Sequence, residues 1–332
     1  MRTADAFRPS MRACAIDAFG GPEKLLVRDV PVPSIDPHEI LVRVDTAGIG
    51  PWDVKARRGA WADGSERFPL ILGADGSGTI AAVGADVHVF QVGDAVYGFL
   101  AGERKGGFYA EFVAISAEHV APIPAGLDFR EAGGLPVAGI TALAGIDDAL
   151  GVRSGQTVLV HGATGGVGSA AVQFAQRRGA RVIATARGAE GVHLLDRLDV
   201  DLAIDVLHED IVGSVRRVSP GGVDALLALA GGHALERALD VLRQGGRAAY
   251  PNGVTFVRRD GIDACAFDGV PSPTAFARLA ATVEAGDFEM PIAGTFALEN
   301  AEEAHRRLER GRVHGKIILA VAGVEDAIAN VA

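Results

Sequence analysis

A glycine-rich turn holds the residues whose types and spacing say most about chemistry. Residues 162–168 read GATGGVG. A dinucleotide-binding turn needs a tight bend, a bare backbone that pyrophosphate can approach, and a close contact between helix and strand. Alanine replaces the first glycine of that pattern, and glycines fill the other two positions. The amides that open the following helix would face the phosphates, where the helix dipole favours negative charge. The turn therefore predicts a dinucleotide site made by Ala163, Thr164, Gly165, Gly166, Val167 and Gly168.

The segments on either side of the turn have the pattern of a βαβ unit. Residues 157–161 form a short apolar, β-branched run, which is typical of a buried parallel strand. After the turn, Val167, Ala171 and Phe174 recur at helical spacing, and residues 181–185 form a second apolar run. Such a unit is right-handed by default. The alternative is a glycine-rich turn in a doubly wound domain that binds no nucleotide.

The end of the second strand bears on which nucleotide is bound. A site for NAD places an aspartate or glutamate there, to bind the ribose 2′-hydroxyl. This sequence has Thr185, Ala186 and Arg187 instead. A carboxylate would repel a 2′-phosphate, whereas a guanidinium binds one well. We therefore expect NADPH, with Thr185 and Arg187 in its site. The alternative for Arg187 is a solvated surface arginine.

The composition limits the classes of partner. A net charge of −10 argues against a nucleic acid or an anionic membrane surface as the main partner. No apolar run reaches the length of a membrane span, and residues 1–10 lack the hydrophobic region of a secretory signal. Cys14 and Cys265 are far apart, each in an apolar run, and are expected to be buried thiols. A cytoplasmic enzyme that acts on a small molecule is the expectation.

The pattern along the chain predicts two domains, for which 332 residues suffice. Residues 11–130 read as short strands and turns, which predicts a β-rich domain, and residues 1–10 as a flexible extension. Residues 131–270 alternate between strand and helix patterns, which predicts an α/β fold with a doubly wound parallel sheet. Residues 271–332 are expected to return to the first domain. The remaining parallel strands are expected at 202–205, 222–230, 246–250 and 262–267.

Five further segments give the sequence a resemblance to a known superfamily. They are AGIGPWDVK at 47–55, FPLILGADGSG at 68–78, GGFYAE at 106–111, LPVAGITA at 135–142 and HGKIIL at 314–319. With the glycine turn, they make residues 11–322 resemble the medium-chain dehydrogenase/reductase superfamily, and within it the zinc-free quinone oxidoreductases, the zeta-crystallin-like group. The resemblance implies a Rossmann NADPH-binding domain beside a GroES-like catalytic domain. It also implies a homodimer joined through sheet edges, here residues 262–267.

The resemblance bears on zinc as well. Zinc alcohol dehydrogenases of this superfamily have a cysteine where this chain has Gly50, and a His-Glu pair where it has Ala74 and Asp75. A catalytic zinc needs about three Cys, His or carboxylate ligands, so no metal is expected here. Alcohol oxidation at neutral pH, which relies on such a Lewis acid, is then disfavoured. Hydride transfer from NADPH to an electrophilic quinone or α,β-unsaturated carbonyl is favoured.

The resemblance implies more contacts with the cofactor. Thr141 would lie near the nicotinamide, and Ala230 and Gly231 would lie beside a ribose. Tyr250, Pro251 and Asn252 would surround the carboxamide. Core packing is the alternative for Thr141 and Tyr250.

The chain also departs from its relatives in the cofactor site. They commonly have an asparagine at the position of Gly50, a lysine at that of Gly191 and a tyrosine at that of Val206. The last two would lie near the 2′-phosphate, so either Arg187 binds it alone or the preference for NADPH is weaker than usual.

The acceptor site is expected between the domains, beside Gly50. The only tryptophans, Trp52 and Trp61, lie in the first-domain segment that faces this cleft. A flat aromatic wall suits a flat quinone. The alternative is ordinary surface or core packing of both rings.

No residue of the sequence is assigned as a catalytic acid. Asp53 and Asp75 are expected to hold turns or to pair with a base such as Lys55. Lys316 is expected to lie on the surface at the start of a strand, with contact to the substrate as the alternative.

Three functions are consistent with the sequence. The first is an NADPH-dependent quinone or enone reductase. The second is an enoyl or 2-alkenal double-bond reductase of the same fold. The third is a nucleotide-binding protein with little turnover, for which the acidic net charge makes RNA an unfavourable ligand.

Overall fold

The computed structural model describes residues 9–64, 68–100, 105–256 and 258–321. These residues form a seven-stranded sheet, a parallel six-stranded sheet and a small three-stranded sheet. The predicted α/β class with a parallel sheet is therefore confirmed. Within the described ranges, every helix is too short or too polar to cross a lipid bilayer.

Short strands build the first part of the chain. They are β1 (Ser10–Ile16), β2 (Leu26–Pro31), β3 (Glu39–Ile49), β4 (Leu70–Ile71), β5 (Asp75–Val83), β6 (Ala95–Phe99), β7 (Phe112–Ser116) and β8 (Val120–Pro122), with helix α1 (Pro51–Arg57) between β3 and β4. β3 pairs antiparallel with both β5 and β7, and it is buried along most of its length. This buried strand ends directly before α1, so it positions the helix that carries Trp52, Asp53 and Lys55.

A long helix follows these strands. Helix α2 (Phe129–Leu143) begins at Asp128, whose carboxylate accepts the amide of Glu131 at 2.8 Å. The Glu131 carboxylate accepts the Asp128 amide in return, at 3.3 Å, which completes a capping box. Further along, the Val137 amide donates to Asp75 Oδ2 at 3.2 Å, which ties α2 to β5.

The parallel sheet contains the predicted nucleotide turn. Its elements are β9 (Thr157–His161), α3 (Gly166–Arg177), β10 (Arg181–Ala186), α4 (Ala189–Arg197), β11 (Leu202–Asp205), α5 (Ile211–Val218), β12 (Val223–Ala228), α6 (His233–Leu239), β13 (Leu242–Pro251) and β14 (Asp263–Phe267). The strand order is β11-β10-β9-β12-β13-β14, so every strand predicted for this sheet is present. The direction of winding reverses between β9 and β12, and in such sheets ligands bind at the carboxyl ends of the strands beside this point.

The last described elements join the first sheet. They are α7 (Pro273–Glu284), β15 (Ile292–Ala297), α8 (Ala301–Glu309) and β16 (Lys316–Ala320). β16 pairs antiparallel with β3, with Ile317 opposite Ile49. This register brings Lys316 next to Gly50. The domain boundaries at 10, 130 and 270 stay predictions. Residues 1–8 and 322–332, for which predictions were also made, lie outside the described residues.

The two cysteines have different environments. Cys14 is buried, as predicted, whereas Cys265 is exposed, so the prediction of a buried Cys265 is wrong. The reason is that Cys265 lies on β14, the edge strand of the parallel sheet. An apolar run on an edge strand has no further strand to cover it. The homodimer predicted through this strand stays a prediction.

A buried arginine anchors α1 from behind. Arg57 is fully buried and donates hydrogen bonds to the Gly20 carbonyl at 3.1 Å and to Glu309 Oε1 at 2.6 Å. Its guanidinium also lies 2.9 Å from His305 Nδ1, and His305 Nε2 lies 3.1 Å from the Tyr109 hydroxyl. Burial, followed by the charge of Arg57, lowers the pKa of His305 to about 3. His305 is therefore neutral at pH 7, and its Nδ1 accepts from Arg57.

We expect this histidine to make the fold sensitive to acid. The pKa of His305 is about 6.5 in the unfolded chain and about 3 in the folded one. At pH values between these two, the unfolded state binds a proton that the folded state does not. Stability therefore falls as the pH drops through this window. From this residue alone, the free energy of unfolding should be about 2 kcal/mol lower at pH 5 than at pH 7. Urea denaturation at both pH values measures the difference.

The matched variants are His305→Gln and His88→Gln, the latter at an exposed histidine. His305→Gln should be less stable at pH 7 but should lose less stability on acidification. His88→Gln should behave like the unmodified chain. An unchanged pH dependence in His305→Gln would show that this buried ring does not cause the acid sensitivity.

Candidate active site

The glycine turn is fastened to the end of β10. Gly162 has a φ of +82°, a left-handed conformation that glycine adopts readily. Its amide donates to the Thr185 hydroxyl at 3.0 Å, and His161 Nδ1 lies 2.9 Å from the same oxygen. The Ala163 amide donates to the Thr185 carbonyl at 3.2 Å. Thr185, predicted as a cofactor contact, is buried, and it acts here by holding the turn.

The space around each glycine of the turn matches the role predicted for it. A Cβ atom at Gly168 would lie 2.5 Å from the Gly162 carbonyl oxygen and 2.6 Å from Ala163 Cα, so helix and turn are in direct backbone contact. A Cβ atom at Gly165 would meet no described atom within 4 Å. The backbone is thus open at the mouth of α3. Ala163 is fully buried and Val167 packs against the core.

A returning segment lies along the other side of the turn. The Gly315 amide donates to the Thr164 carbonyl at 2.7 Å. A Cβ atom at Gly166 would lie 2.8 Å from Cγ and Cδ of Lys316, so the lysine stem covers the first residue of α3. The start of β16 therefore borders the predicted pyrophosphate site.

The residues predicted to flank a ribose follow β12. A Cβ atom at Gly162 would lie 3.2 Å from Ala230 Cβ, so Ala230 lies directly against the glycine turn. Gly231 lies farther along, where a Cβ atom would be 3.1 Å from the Thr255 carbonyl oxygen. The structure thus brings Ala230 into contact with the turn, whereas Gly231 faces Thr255.

The segment predicted to hold the carboxamide is engaged with its own neighbours. The Tyr250 ring stacks on Phe256, with centroids 4.3 Å apart and planes 5° apart. Pro251 ends β13 opposite Phe267 on β14. The Asn252 side chain donates to Asp268 Oδ2 at 2.5 Å. All three residues lie at the carboxyl edge of the sheet, as predicted, and their contacts with a cofactor stay predictions.

Thr141 lies on α2 and is buried. A Cβ atom at Gly269 would lie 2.5 Å from the Thr141 hydroxyl oxygen. The loop after β14 thus packs directly on Thr141. Its predicted place beside the nicotinamide is untested.

The end of β11 carries an ionised carboxylate that sequence reasoning missed, and the loop after β10 is bonded to it. Asp205, at the end of β11, accepts the Gly188 amide at 2.8 Å and lies 2.8 Å from His208 Nδ1. These hydrogen bonds lower the pKa of Asp205 to about 2, and the bond from the Gly188 amide has the largest effect. Arg187 is exposed, and no carboxylate of the described residues pairs with it. The signal for Asp205 was an aspartate at the last position of the third predicted strand, residues 202–205.

The two positions at which the resemblance implies phosphate-binding side chains, Gly191 and Val206, are packed. A Cβ atom at Gly191 would lie 3.0 Å from both Ala186 Cβ and His314 Cε1, which leaves little room for a larger residue. The Val206 amide donates to the Ala186 carbonyl at 3.0 Å, and its side chain packs against the core. Arg187 is therefore the cation that the chain places in this loop.

His161, at the end of β9, has an unsatisfied ring nitrogen. Burial lowers the pKa of His161 to about 4, so the ring is neutral at pH 7. Its Nδ1 lies 2.9 Å from the Thr185 hydroxyl, while Nε2 is buried and has no hydrogen-bond partner among the described residues. An unpaired buried polar atom at the predicted nucleotide site fits a site that a ligand or an ordered water completes.

Two buried aspartates lie beneath the cleft. Asp53 accepts the Gly50 amide at 2.8 Å and the Ala74 amide at 3.1 Å, so it holds a turn as predicted. Burial, followed by the nearby charge of Asp75, raises its pKa to about 6. Asp75 lies 3.3 Å from Lys316 Nζ, and burial raises its pKa as well. Lys316 is buried, so the prediction of a surface lysine is wrong.

Lys55 does not pair with either aspartate, contrary to one of the predicted pairings. Its Nζ donates to the Gly253 carbonyl at 3.4 Å, on the other side of the cleft. The aspartates are buried within the first domain, whereas Lys55 extends from the outer side of α1. The sequence could not predict this contact, because the two residues are 198 positions apart.

The residues that would have to hold a zinc ion do not fit one. Gly50 and Ala74 offer no ligand, and Asp75 is paired with an ammonium. That ammonium, Nζ of Lys316, lies 3.9 Å from where a Cβ atom at Gly50 would be. A second cation there would be repelled. In the ranges that the structure describes, no three His, Cys, Asp or Glu side chains are grouped so as to hold a metal.

Trp52 and Trp61 form an exposed pair. Their ring centroids are 4.2 Å apart, with an angle of 30° between the planes. The rings are 42% and 49% exposed, so neither packs in the core. The two rings pack against each other at the surface, and their contact with an acceptor stays a prediction.

We expect two alanine substitutions in the turn to affect different properties, one the binding of the dinucleotide and the other the stability of the fold. Gly165→Ala should weaken binding of a reduced nicotinamide dinucleotide at least about tenfold, because its methyl group enters the open approach to the backbone. It should leave the melting temperature nearly unchanged, since its φ of −80° suits alanine. Gly168→Ala should lower the melting temperature, because its Cβ atom would collide with backbone. Fluorescence titration and thermal denaturation measure the two effects. Unaltered binding by a folded Gly165→Ala would contradict the assignment of this turn.

Comparisons with known proteins agree with this geometry. Residues 36–125 match the family described as the alcohol dehydrogenase GroES-like domain, and residues 198–319 match the one described as zinc-binding dehydrogenase. The quinone oxidoreductase of Rattus norvegicus is 32% identical over 327 residues, covering 93% of this chain and 97% of that protein. The 2-methylene-furan-3-one reductase of Solanum lycopersicum is 30% identical over 332 residues, covering 96% and 81%.

Solved structures show the same similarity. An NAD-dependent alcohol dehydrogenase has a TM-score of 0.87 and 33% identity, covering 94% of this chain and 100% of that chain. The quinone oxidoreductase from Coxiella burnetii has a TM-score of 0.85 and 30% identity, covering 94% and 99%. The chain belongs to the medium-chain dehydrogenase/reductase superfamily of NAD(P)-dependent oxidoreductases.

Proposed function

We propose that the chain is a zinc-independent, NADPH-dependent reductase of quinones or α,β-unsaturated carbonyl compounds. The observation that supports this most strongly is the open glycine turn beside a cleft in which Lys316 takes the place of a metal. The quinone oxidoreductases among its relatives are consistent with the proposal. A location in the cytoplasm and a homodimer stay part of the proposal.

The glycine turn would hold the pyrophosphate of the cofactor. The amides at the mouth of α3 are accessible at Gly165, and the aliphatic stem of Lys316 borders this site at Gly166. Arg187 would bind the 2′-phosphate against the repulsion of the ionised Asp205, which accepts the amide of the neighbouring Gly188. When bound, the cofactor supplies the hydride; the protein positions the acceptor and excludes water.

The buried cluster beneath the cleft explains why the acceptor must already be electrophilic. A zinc ion would polarise a carbonyl as a Lewis acid, but the Gly50 region holds an ammonium paired with Asp75 instead. Quinones and α,β-unsaturated carbonyls accept hydride without that help, because the charge delocalises onto oxygen. The exposed rings of Trp52 and Trp61 would contact the flat face of such a molecule.

Three alternatives compete with quinone reduction. The relative from Solanum lycopersicum is named for reduction of a conjugated double bond, which favours an enone over a quinone as the acceptor. The NAD-dependent alcohol dehydrogenase among the similar structures keeps alcohol oxidation with NAD as a competing activity. A nucleotide-binding protein with little turnover would show neither.

We expect purified protein to oxidise NADPH in the presence of a naphthoquinone or a medium-chain enone. It should show no comparable reduction of NADP⁺ or NAD⁺ with a primary or secondary alcohol, because Gly50 and Ala74 offer no ligand for a metal ion that would polarise the alcohol, and Asp75 is paired with Lys316. Absorbance at 340 nm, with acceptor omitted as the control, measures each rate. Stoichiometric zinc in an elemental assay together with alcohol oxidation would overturn the proposal, and binding without turnover of any acceptor would support the third function.

We expect Arg187→Ala to raise the KM for NADPH about tenfold or more, because a charge-assisted bond to the 2′-phosphate is lost. The KM for NADH, which lacks this phosphate, should change far less. The matched control is Arg216→Ala on α5, at an exposed arginine remote from the turn. Equal effects of Arg187→Ala on both cofactors would remove Arg187 from the site.

A further inference from the structure

Lys55 reaches across the cleft from one half of the molecule to the other. Its Nζ donates to the carbonyl of Gly253, a residue that follows β13 at the carboxyl edge of the parallel sheet. Gly253 has a φ of +96°, and a Cβ atom there would lie 2.0 Å from Lys55 Nζ. The ammonium thus lies directly on the backbone of the loop proposed to hold the nicotinamide.

The direction of Lys55 is set by contacts on the opposite side of α1. Asp53 is buried and bonded to the amides of Gly50 and Ala74, and Arg57 is buried in its network with His305. The buried side of α1 is therefore held at two points. Trp52 and Lys55 are three residues apart, so they are neighbours on the surface of the same helix. An exposed aromatic ring and an ammonium are thus presented together toward the cleft.

Among the residues that the structure describes, no carboxylate neutralises the charge of Lys55. None of the carboxylates in the described ranges lies within ion-pair distance of its Nζ. Its bond to Gly253, at 3.4 Å, is longer than the 2.7–3.2 Å typical of a strong hydrogen bond. An ammonium has three donors, so Lys55 can take a further acceptor without losing an ion pair.

We propose that Lys55 is a catalytic residue that binds the carbonyl oxygen of the acceptor; this inference rests on the proposed function. The acceptor gains a hydride, which forms a new C–H bond, and its conjugated π electrons move onto the carbonyl oxygen. The Lys55 ammonium stabilises that oxyanion by a charge-assisted hydrogen bond. A proton from water then completes the reduced acceptor, and the reduced nicotinamide is left oxidised. The substrate class is therefore a planar molecule whose carbonyl is conjugated with the carbon that is reduced.

The kinetic test uses Lys55→Met, Lys55→Arg and the control Lys24→Met, at an exposed lysine elsewhere. Lys55→Met should lower kcat/KM by about 10- to 100-fold, less than for a fully buried oxyanion donor, because Lys55 is partly exposed. Lys55→Arg should recover most of the loss, and Lys24→Met should show none. The loss should be larger for a weakly electrophilic enone than for benzoquinone, whose oxyanion is more stable. If Lys55 only held the cleft closed, Lys55→Met would lower kcat/KM by the same factor for every acceptor, which would contradict the catalytic role.

A binding measurement gives a readout independent of turnover. The chain has two tryptophans, Trp52 and Trp61, and both lie beside this site, so their fluorescence reports on it. Lys55→Met should weaken binding of 2-hydroxy-1,4-naphthoquinone, an anion at neutral pH, about tenfold. Binding of neutral 2-methyl-1,4-naphthoquinone should change less than about twofold.

The outcomes separate this inference from the proposed function. Failure of the unmodified protein to reduce any acceptor would overturn both. Normal reduction by the unmodified protein, with Lys55→Met within about twofold for every acceptor and for the anion, would overturn the role of Lys55 and leave the function standing.

Discussion

A buried ion pair between Lys316 and Asp75 is the contact on which the arrangement of the cleft depends. The stem of Lys316 covers Gly166 at the start of α3, and its ammonium reaches Asp75 on β5. The same carboxylate accepts the amide of Val137 on α2. One pair thus joins the nucleotide turn, the first sheet and the connecting helix. Removing one partner of a buried pair leaves an uncompensated charge and costs about 3–5 kcal/mol, so the pair can hold these parts in register.

Helix α1 connects this buried frame to the open cleft. Its inner side is fixed by Asp53, which holds the turn before the helix, and by Arg57, which is bonded to α8. Its outer side presents Trp52 and Lys55. Because a seven-residue helix is marginal by itself, these buried contacts determine its position. The same helix is thereby structural on one side and available for a ligand on the other.

The sequence could predict the parallel sheet because its information is local. Apolar β-branched runs separated by glycine turns and helical patterns occur in order along residues 157–267, and each gave a strand of the sheet. The close packing of Gly168 on Gly162 was predictable for the same reason, since the turn is a short local motif.

Contacts between distant residues could not be predicted. Lys316 is buried because Asp75, 241 positions earlier, neutralises it, and the sequence alone does not show that pairing. Lys55 meets Gly253 only because β3 and β13 end at the same cleft. Cys265 lies in a run that is apolar enough for a core strand, and its exposure follows from the edge position of β14, which depends on the strand order.

A crystal structure of the protein with NADPH tests the central claim most directly. The account predicts electron density for the pyrophosphate against the amides at Gly165, Gly166 and Val167, with the nicotinamide between α1 and the loop after β13. Density for the nucleotide at another site, with the mouth of α3 occupied by solvent at saturating NADPH, would contradict it.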